Sequence, residues 1–478
     1  MKKGRIVGAV IVLYCTVVFG IFLGKTGFFG TATHTSIGGN EITTEDTTNT
    51  ETNIGMIEGQ HLNFTSDINT DILSRHALPS LERMEKKDQE EYVNNLQVMK
   101  KIELLGIGKR DFLYPELKMY DIGKKIDVLN DIFNEDKEKI IFSGTTSEEL
   151  QKVIDNNPNT IIELDTKQIE LHNTIYLKDN TIINGNGTKF FADNIRYGFT
   201  GESISNVFIN NINIQGNIEY GMYFVDCTNI KVANSKINGM LQKSICIIGT
   251  TTGFSITNNE MCNNQAGGIY IAGNVSNGII ELNDIRNNGG TSNWMAGIVI
   301  TNVLSNDKYN IWETFDEAHH FPYKENLYAQ LNCPNQLIIR DNQVMYNNAL
   351  GIYSDGAYLC YILNNTVYQN DKEGICLDYG TIGFYLKENV FKANGRRIRQ
   401  SDEDLRMDFV LDAGRMDDSS AKSKLPGVSL DNTAYNILEN NIVVNNYGGG
   451  IKMVRTTVRS LIMENIIRDN NMGQNDNF

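Results

Sequence analysis

A glycine followed by alternating apolar and polar residues recurs along the second half of the chain. The pattern reads Gly351-Ile352-Tyr353-Ser354-Asp355, then Gly374-Ile375-Cys376-Leu377-Asp378, and after an insertion Gly427-Val428-Ser429-Leu430-Asp431. Alternation with a period of two is typical of a β-strand, in which successive side chains point to opposite faces. We therefore expect the residue after each glycine, and the one two further on, to face a core while the aspartates face outward.

The pattern is part of a longer repeat. Its first positions are Gly221, Ser244, Gly268, Gly297, Gly351, Gly374, Gly427 and Gly450. A row of asparagines follows the second strand of each repeat, at Asn259, Asn283, Asn342, Asn365, Asn389, Asn441 and Asn465. An asparagine at the same turn of every coil can bond the backbone above and below it. A repeat this short cannot bury its own apolar face, so the coils must stack into a parallel β-solenoid.

The N-terminal part of the chain follows other patterns. Basic residues precede an apolar run over 6–23, which is long enough to cross a bilayer and would leave the N-terminus inside the cell. A cleaved signal peptide is the alternative. We predict an anchor or signal segment over 1–24, a flexible linker rich in Thr, Asn and Gly over 25–60, and a small helical stalk over 61–145. The solenoid then covers 146–478.

A short amphipathic helix over 147–154, with Ser147 as its N-cap, is expected to close one open end of the solenoid. The formal net charge of −15 argues against a nucleic-acid partner, which requires a basic footprint. The seven cysteines lack the paired spacing of a zinc site.

These repeats resemble a known superfamily. The coil length, the asparagine ladder, and the opening helix followed by TIIEL and NTIYLKDNTIINGNG look like the pectate-lyase-type right-handed parallel β-helix superfamily. The resemblance implies an all-β right-handed parallel β-helix with an N-terminal capping helix, and a secreted or surface location. Its members include lyases, hydrolases, epimerases and phage adhesins. The DPHD motif of the alginate epimerases is absent, so no catalytic role is carried over by motif.

Aspartates occupy one register position in three adjacent coils. The fifth positions of the aligned strands read Val225, Ile248, Ala272, Thr301, Asp355, Asp378, Asp431 and Val454. Stacked strands lie about 4.8 Å apart, so neighbouring carboxylates would be close. Like charges this near cannot all ionise freely. Either a cation lies among them, for which Ca²⁺ is the natural candidate, or one carboxyl keeps its proton. An acidic solvated surface is the plain alternative.

Two long insertions flank these aspartates. The first, about 302–334, leaves the sheet after Thr301, and the second, about 396–426, returns to it before Gly427. We expect them to rise on opposite edges of one face and to form a groove. The first contains Trp312 and Tyr323, whose rings suit sugars, and the pair His319 and His320, which are candidates for a base or a metal ligand. Packing of the loop explains the aromatic residues equally well.

Basic residues complete the candidate site. Arg396, Arg397 and Arg399 could clamp substrate carboxylates, or pair with the acidic residues that follow them at 402–404. Lys452 faces outward in the next coil and could neutralise Asp431 or act as a base. Tyr353, beside Asp355, is a further candidate contact for the substrate.

The sequence thus favours a surface-anchored enzyme that acts on an extracellular polysaccharide. A uronate-containing substrate cleaved by calcium-assisted β-elimination fits carboxylates with basic residues. The catalytic candidates are Asp355, Asp378, Asp431, His319, His320 and Lys452, and the three aspartates are also the metal candidates. A glycoside hydrolase with paired aspartates is the second possibility. An epimerase, or a binder without catalysis, also remains open.

Overall fold

The computed structural model describes residues 137–290, 295–302, 333–378, 380–396, 409–411, 425–431, 433–453, 457 and 459–470, preceded by residues 102, 105–107, 111 and 115–133. The predicted anchor and linker over 1–60 lie outside the described residues. Within the described part of the chain, no helix has both the length and the apolar character needed to cross a membrane.

The described residues form two helices and many short strands. The helices are α1 (Pro115–Phe133) and α2 (Ser147–Asn156). The first half of the strands are β1 (Lys139–Phe142), β2 (Ile161–Leu164), β3 (Gln168–Leu171), β4 (Ile175–Tyr176), β5 (Ile182–Asp193), β6 (Tyr197–Glu202), β7 (Ser205–Asn217), β8 (Tyr220–Val225), β9 (Thr228–Ala233), β10 (Lys236–Asn238), β11 (Lys243–Gly249), β12 (Thr252–Thr257), β13 (Glu260–Cys262), β14 (Gly267–Gly273), β15 (Ser276–Glu281) and β16 (Asp284–Arg286). The second half are β17 (Ala296–Thr301), β18 (Asn335–Arg340), β19 (Gln343–Met345), β20 (Leu350–Asp355), β21 (Tyr361–Leu363), β22 (Thr366–Tyr368), β23 (Ile375–Asp378), β24 (Tyr385–Lys387), β25 (Val390–Lys392), β26 (Phe409–Leu411), β27 (Val428–Leu430), β28 (Ile437–Glu439), β29 (Ile442–Val444), β30 (Ile451–Met453), β31 (Leu461–Met463) and β32 (Ile466–Arg468).

These strands wind into a right-handed parallel β-solenoid. A typical coil, such as β18, β19 and β20, contributes two strands to a 21-stranded first sheet and one to an 11-stranded second sheet. Equivalent strands of successive coils pair in parallel, and the short β26 pairs antiparallel with β30. Because β1 already pairs with β2, the solenoid begins within the segment that the sequence assigned to the stalk.

The register of the second sheet follows the glycine repeat. Ile352 pairs with Ile375, and Ile375 pairs with Val428 of the next coil, across the second insertion. All three side chains are fully buried in the core that fills the solenoid. Burying an aliphatic side chain of this size contributes about 1.5–3 kcal/mol, which makes a slip of one residue costly.

Buried asparagines hold the coils in register at a corner of the first sheet. Asn365 donates its side-chain amide to the carbonyl of Ile339 (2.9 Å) and to Oδ1 of Asn389 (3.0 Å), and its own Oδ1 accepts from the backbone N of Asn342 (3.0 Å). The residue before it, Asn364, has a left-handed backbone with φ of 50°. The predicted ladder is therefore confirmed along its whole length.

A second ladder lies five residues further along each coil and was not predicted. It consists of Asn264, Asn288, Asn347, Asn370, Asn394, Asn446 and Asn470. Its spacing along the sequence equals that of the first ladder, so the same search for repeats would have found it.

Helix α2 caps the solenoid as predicted, but its N-cap is Thr146 and not Ser147. Thr146 and Glu149 form a reciprocal capping box, in which Glu149 N donates to Thr146 Oγ1 (3.4 Å). The hydroxyl of Ser147 instead accepts from the backbone N of His172 (3.1 Å) and of Asn173 (3.2 Å). The Ser147 hydroxyl thus bonds the first coils of the solenoid, and Thr146 caps the helix instead.

Helix α1, which the sequence placed in a stalk, packs along the first sheet. Ile122, Ile126 and Leu129 are buried against a cluster that includes Ile279 and Ile338, whose side chains face outward from that sheet. Its apolar stripe therefore covers the side of the solenoid. The part of the predicted stalk that forms α1 is docked, because the outer surface of the first sheet offers an apolar surface that matches the helix.

Candidate functional site

The second sheet has an outward-facing side, the outer face, on which a row of side chains is buried. Ile352 and Leu377 belong to the interior core, whereas Tyr353 and Cys376 pack in a separate cluster on the other side of the sheet. Tyr353 and Cys376 are direct partners on β20 and β23. The alternation expected from the sequence therefore holds at this position.

The three aspartates follow one another along the outer face and form what we call the carboxylate row. Asp355 is the direct partner of Asp378, and Thr301 precedes Asp355 in the same register. Asp431 comes directly after β27, and its backbone N donates to the carbonyl of Leu377 (2.9 Å), as the next coil of a parallel ladder requires. Neighbouring Cα atoms in such a row lie about 4.8 Å apart.

The carboxylate row is more covered than the open groove floor that the sequence suggested. Asp355 is only 6% exposed, and Asp378 and Asp431 are half-buried. The carboxylates therefore lie in surroundings of lower dielectric constant than bulk water, where charges interact more strongly.

Cys376 lies at the centre of this charged region. Burial is the main cause that raises the pKa of its thiol well above the usual value, followed by the negative charges of Asp378, Glu373 and Asp431, while Lys452 acts in the opposite direction. These four side chains therefore surround Cys376 closely enough to affect its ionisation. Because the thiol stays protonated, it is not a nucleophile at neutral pH.

The sequence analysis missed Glu373 and Cys376. Glu373 is 9% exposed and directly precedes the glycine of its repeat, the position at which Lys243 stands in an earlier coil. The other coils have mostly Gly, Ala, Leu or Tyr at this position, so the charge of Glu373 could have marked it as a candidate site residue.

Lys452 is a buried cation at the end of the carboxylate row. It is 6% exposed and pairs with Ser429 of the previous coil and with Val410 of β26. Within the part of the chain that the structure describes, its ammonium group makes neither a hydrogen bond nor an ion pair. Among these residues Lys452 and Asp431 form no direct ion pair, and the neutralisation of Asp431 by Lys452 stays a prediction.

Arg396 forms an ion pair with a residue of the preceding coil. Its guanidinium bonds Asp371 Oδ1 at 2.7 Å, and the arginine side chain is 68% exposed while that of Asp371 is 11% exposed. The contact ties Arg396 to the coil that precedes it.

Aromatic side chains extend the outer face away from the carboxylate row. Tyr197, Tyr220 and Tyr223 form a cluster with ring centroids 4.7–5.6 Å apart. Three coils before Asp355, Lys243 places its Nζ 4.5 Å from the centre of the Tyr270 ring. Most of these rings are buried, so they give the face an apolar surface.

Lys243 is the second buried cation of the outer face. It is 9% exposed, and burial lowers its pKa, opposed by the nearby Cys246. Among the described residues, no carboxylate forms an ion pair with it. Tyr353, which the sequence assigned to substrate binding, is 3% exposed, so its ring is packed and not open to a sugar.

Six predicted site residues lie outside the described residues, namely His319, His320, Trp312, Tyr323, Arg397 and Arg399. Their roles stay predictions. No group of three or more His, Cys, Asp or Glu side chains in the described residues is arranged to hold a metal ion. Calcium at the carboxylate row would therefore need further ligands, such as water or a substrate carboxylate.

Comparison with solved structures gives matches of low sequence identity. The A-module of mannuronan C-5 epimerase AlgE4 from Azotobacter vinelandii has 11% identity and a TM-score of 0.40, with 72% of this chain and 98% of that one covered. The periplasmic alginate epimerase AlgG has 14% identity and a TM-score of 0.34, covering 70% and 73%. An alginate lyase from Paenibacillus sp. has 9% identity and a TM-score of 0.32, covering 67% and 99%.

Comparison with curated proteins gives no significant match. The family model described as "Right handed beta helix region" matches residues 197–391 and 329–476, more than half of the chain. The solenoid winding, the asparagine ladders and this match agree, and the chain belongs to the right-handed β-helix family.

Proposed function

We propose that this protein is an enzyme that acts on an acidic, uronate-containing polysaccharide bound along the outer face. The observation that carries the proposal is the carboxylate row with the buried Lys452 at its end. Acidic groups and a cation that makes no ion pair in the described residues, lying together in a covered site, are suited to moving protons.

Lys243 and Lys452, the two buried lysines that form no ion pair within the described residues, favour a polymer with negative charges. Burying an ammonium group without a carboxylate partner is costly, and a carboxylate of a bound ligand would offset that cost. Lys243 and Lys452 lie six coils apart on the same face, which corresponds to roughly 30 Å. A ligand that reaches both must be extended and carry repeated carboxylates. The net charge of −15 argues against nucleic acid as that ligand.

The favoured reaction is β-elimination at a uronate unit. A base removes the proton at C5, the electron pair forms the C4–C5 double bond, and the O4 leaving group takes up a proton. In this proposal Lys452 is the base, or the cation that neutralises the uronate carboxylate. In this proposal a carboxyl of the neighbouring pair Asp355 and Asp378 is the proton donor to O4, since two carboxylates one strand apart disfavour each other's ionisation.

Calcium bound to the carboxylate row is a further proposal. Carboxylate oxygens are its usual ligands, and Asp355, Asp378 and Asp431 would supply some of them, with water or a substrate carboxylate supplying the rest. The ion would withdraw charge from the uronate carboxylate. A loss of activity with a chelator, restored by Ca²⁺ and not by Mg²⁺, is the result that would support it.

A glycoside hydrolase is the second candidate, and the direct pairing of Asp355 with Asp378 favours it. Carboxyl groups about 5–5.5 Å apart are typical of retaining glycosidases, and strands one step apart approach that spacing.

The test is incubation with uronate-containing polysaccharides in D₂O. Products that absorb in the ultraviolet identify a lyase, deuterium at C5 without cleavage identifies an epimerase, and new reducing ends without absorbance identify a hydrolase. Binding without any of these changes would identify a binder and contradict the catalytic proposal. The absence of both reaction and binding would contradict the proposal as a whole.

We further propose that the apolar run over 6–23 anchors the chain in the membrane with the solenoid outside the cell. Protease added to intact cells should then release the solenoid. Full protection of the solenoid would contradict this arrangement.

A further inference from the structure

A cavity of about 420 Å³ opens on the outer side of the first sheet, near the capped end of the solenoid. It is far from the carboxylate row, since its last coil precedes that of Asp355 by four, or about 19 Å along the axis. Volumes of 300–1,000 Å³ are typical of sites for small ligands.

The cavity is built from one register position of three consecutive coils. Glu170 of β3 pairs with Phe191 of β5, and Phe191 pairs with Gln215 of β7. The half-buried Phe191 ring thus lies between a carboxylate and an amide, each about 4.8 Å away along the stack. Two residues further, Asp193 pairs with Asn217 and adds a second polar pair at the rim.

Gly216 keeps the floor of this cavity free of side chains. Its φ is 137°, and a Cβ atom there would lie 1.8 Å from the carbonyl oxygen of Ala192 in the previous coil. Only glycine fits this close approach of two backbones. The Phe191 ring therefore lies beside an open surface of backbone atoms.

The polar groups around the ring retain hydrogen-bonding capacity. Gln215 donates to Asn213 Oδ1 (3.1 Å), which leaves its own carbonyl oxygen as an acceptor. Asp193 accepts from Asn194 through Oδ2 (3.2 Å), which leaves Oδ1. Glu170 accepts from Gln168 through Oε1, which leaves Oε2.

We propose that this cavity is a second carbohydrate site, which holds one neutral sugar ring with its C–H face on Phe191. The carboxylates and the amide accept and donate hydrogen bonds to the hydroxyl groups. A pyranose needs this combination of an apolar platform and surrounding acceptors. Glu170 and Asp193 outnumber His172, the one basic side chain of the lining, and repel a carboxylate, so the site rejects the uronate units proposed for the outer face. The site does not depend on the proposed enzymatic function.

Saturation-transfer NMR with methyl glycosides of glucose, galactose and mannose tests the proposal on the full chain. The matched pair of variants is Phe191→Ala and Tyr346→Ala, because Tyr346 is an exposed aromatic residue that directly follows β19 in a later coil. At least one glycoside should receive saturation in the wild type and in Tyr346→Ala. Phe191→Ala should weaken its binding at least tenfold.

Asp193→Asn is the second variant, since the exposed Asp193 can be changed without disturbing the core. This substitution should weaken binding of the same glycoside and leave the Tm of the protein unchanged. Absence of saturation transfer from all three glycosides would overturn the proposal, as would equal binding by Phe191→Ala. Preferential binding of a uronate at Phe191 would overturn the charge argument and with it the assignment to a neutral sugar.

Discussion

Asp355 and Asp378 are direct partners on adjacent parallel strands, with their carboxylates on the same side of the sheet. Like charges directly opposite each other destabilise a sheet by roughly 0.2–1 kcal/mol. We therefore expect Asp378→Asn to leave the free energy of unfolding unchanged or to raise it within that range. Urea unfolding of the variant beside the wild type measures this. A marked loss of stability would show that the carboxylate of Asp378 is needed for folding.

The asparagine ladder predicts a large loss of stability for Asn365→Leu. The substitution leaves the carbonyl of Ile339 and the backbone N of Asn342 buried without their present partners. Each unsatisfied group costs about 1–3 kcal/mol.

Thr366→Leu is the matched control, because Thr366 is exposed and the residues in its register in the next two coils are Val390 and Ile442. Thermal unfolding of the two variants should show a large decrease in Tm for Asn365→Leu only. Equal Tm values for the two variants would contradict the stabilising role of the ladder.

Docking of α1 predicts that its buried face contributes to stability. Ile122 is fully buried, whereas Val128 on the same helix is 60% exposed. Ile122→Ala should reduce the free energy of unfolding by about 2–5 kcal/mol if the helix unfolds with the solenoid. Val128→Ala should change it little, and equal small effects in calorimetry would mean that the helix is not docked in solution.

The raised pKa of Cys376 predicts a thiol that resists alkylation. Since the thiolate is the reactive form, native protein at pH 8 should react with iodoacetamide at Cys376 far more slowly than protein unfolded in urea. The thiol ionises more readily in the unfolded chain. Its contribution to stability is therefore complete below pH 9 and is lost as the pH rises above that value. Rapid labelling of native Cys376, mapped by mass spectrometry, would contradict this environment.

Much of the fold could be predicted from the sequence, because the same residue types recur at fixed positions of every coil. The glycine before each strand and the asparagine at each corner fix the coil length, and the apolar alternation fixes which side faces in. The register that joins Asp355, Asp378 and Asp431 followed from the same alignment. The second asparagine ladder was visible in the same spacing.

Packing on the outer surfaces was less predictable. An amphipathic helix pattern shows that α1 has an apolar face but not which surface it covers. The burial of Tyr353 depends on groups distant in sequence, so alternation alone suggested an open ring. The N-cap shifted from Ser147 to Thr146 because both residues can cap, and contacts with His172 and Asn173 decided between them.

Activity of Asp378→Asn and Lys452→Met on a uronate-containing polysaccharide tests the central claim most directly. Glu202→Gln is the matched control, because Glu202 occupies the same register position in the second sheet, several coils before the carboxylate row. The account predicts that product formation falls at least 100-fold in each of the first two variants while their Tm is unchanged or higher. The control should keep normal activity. Normal activity in both Asp378→Asn and Lys452→Met would contradict it.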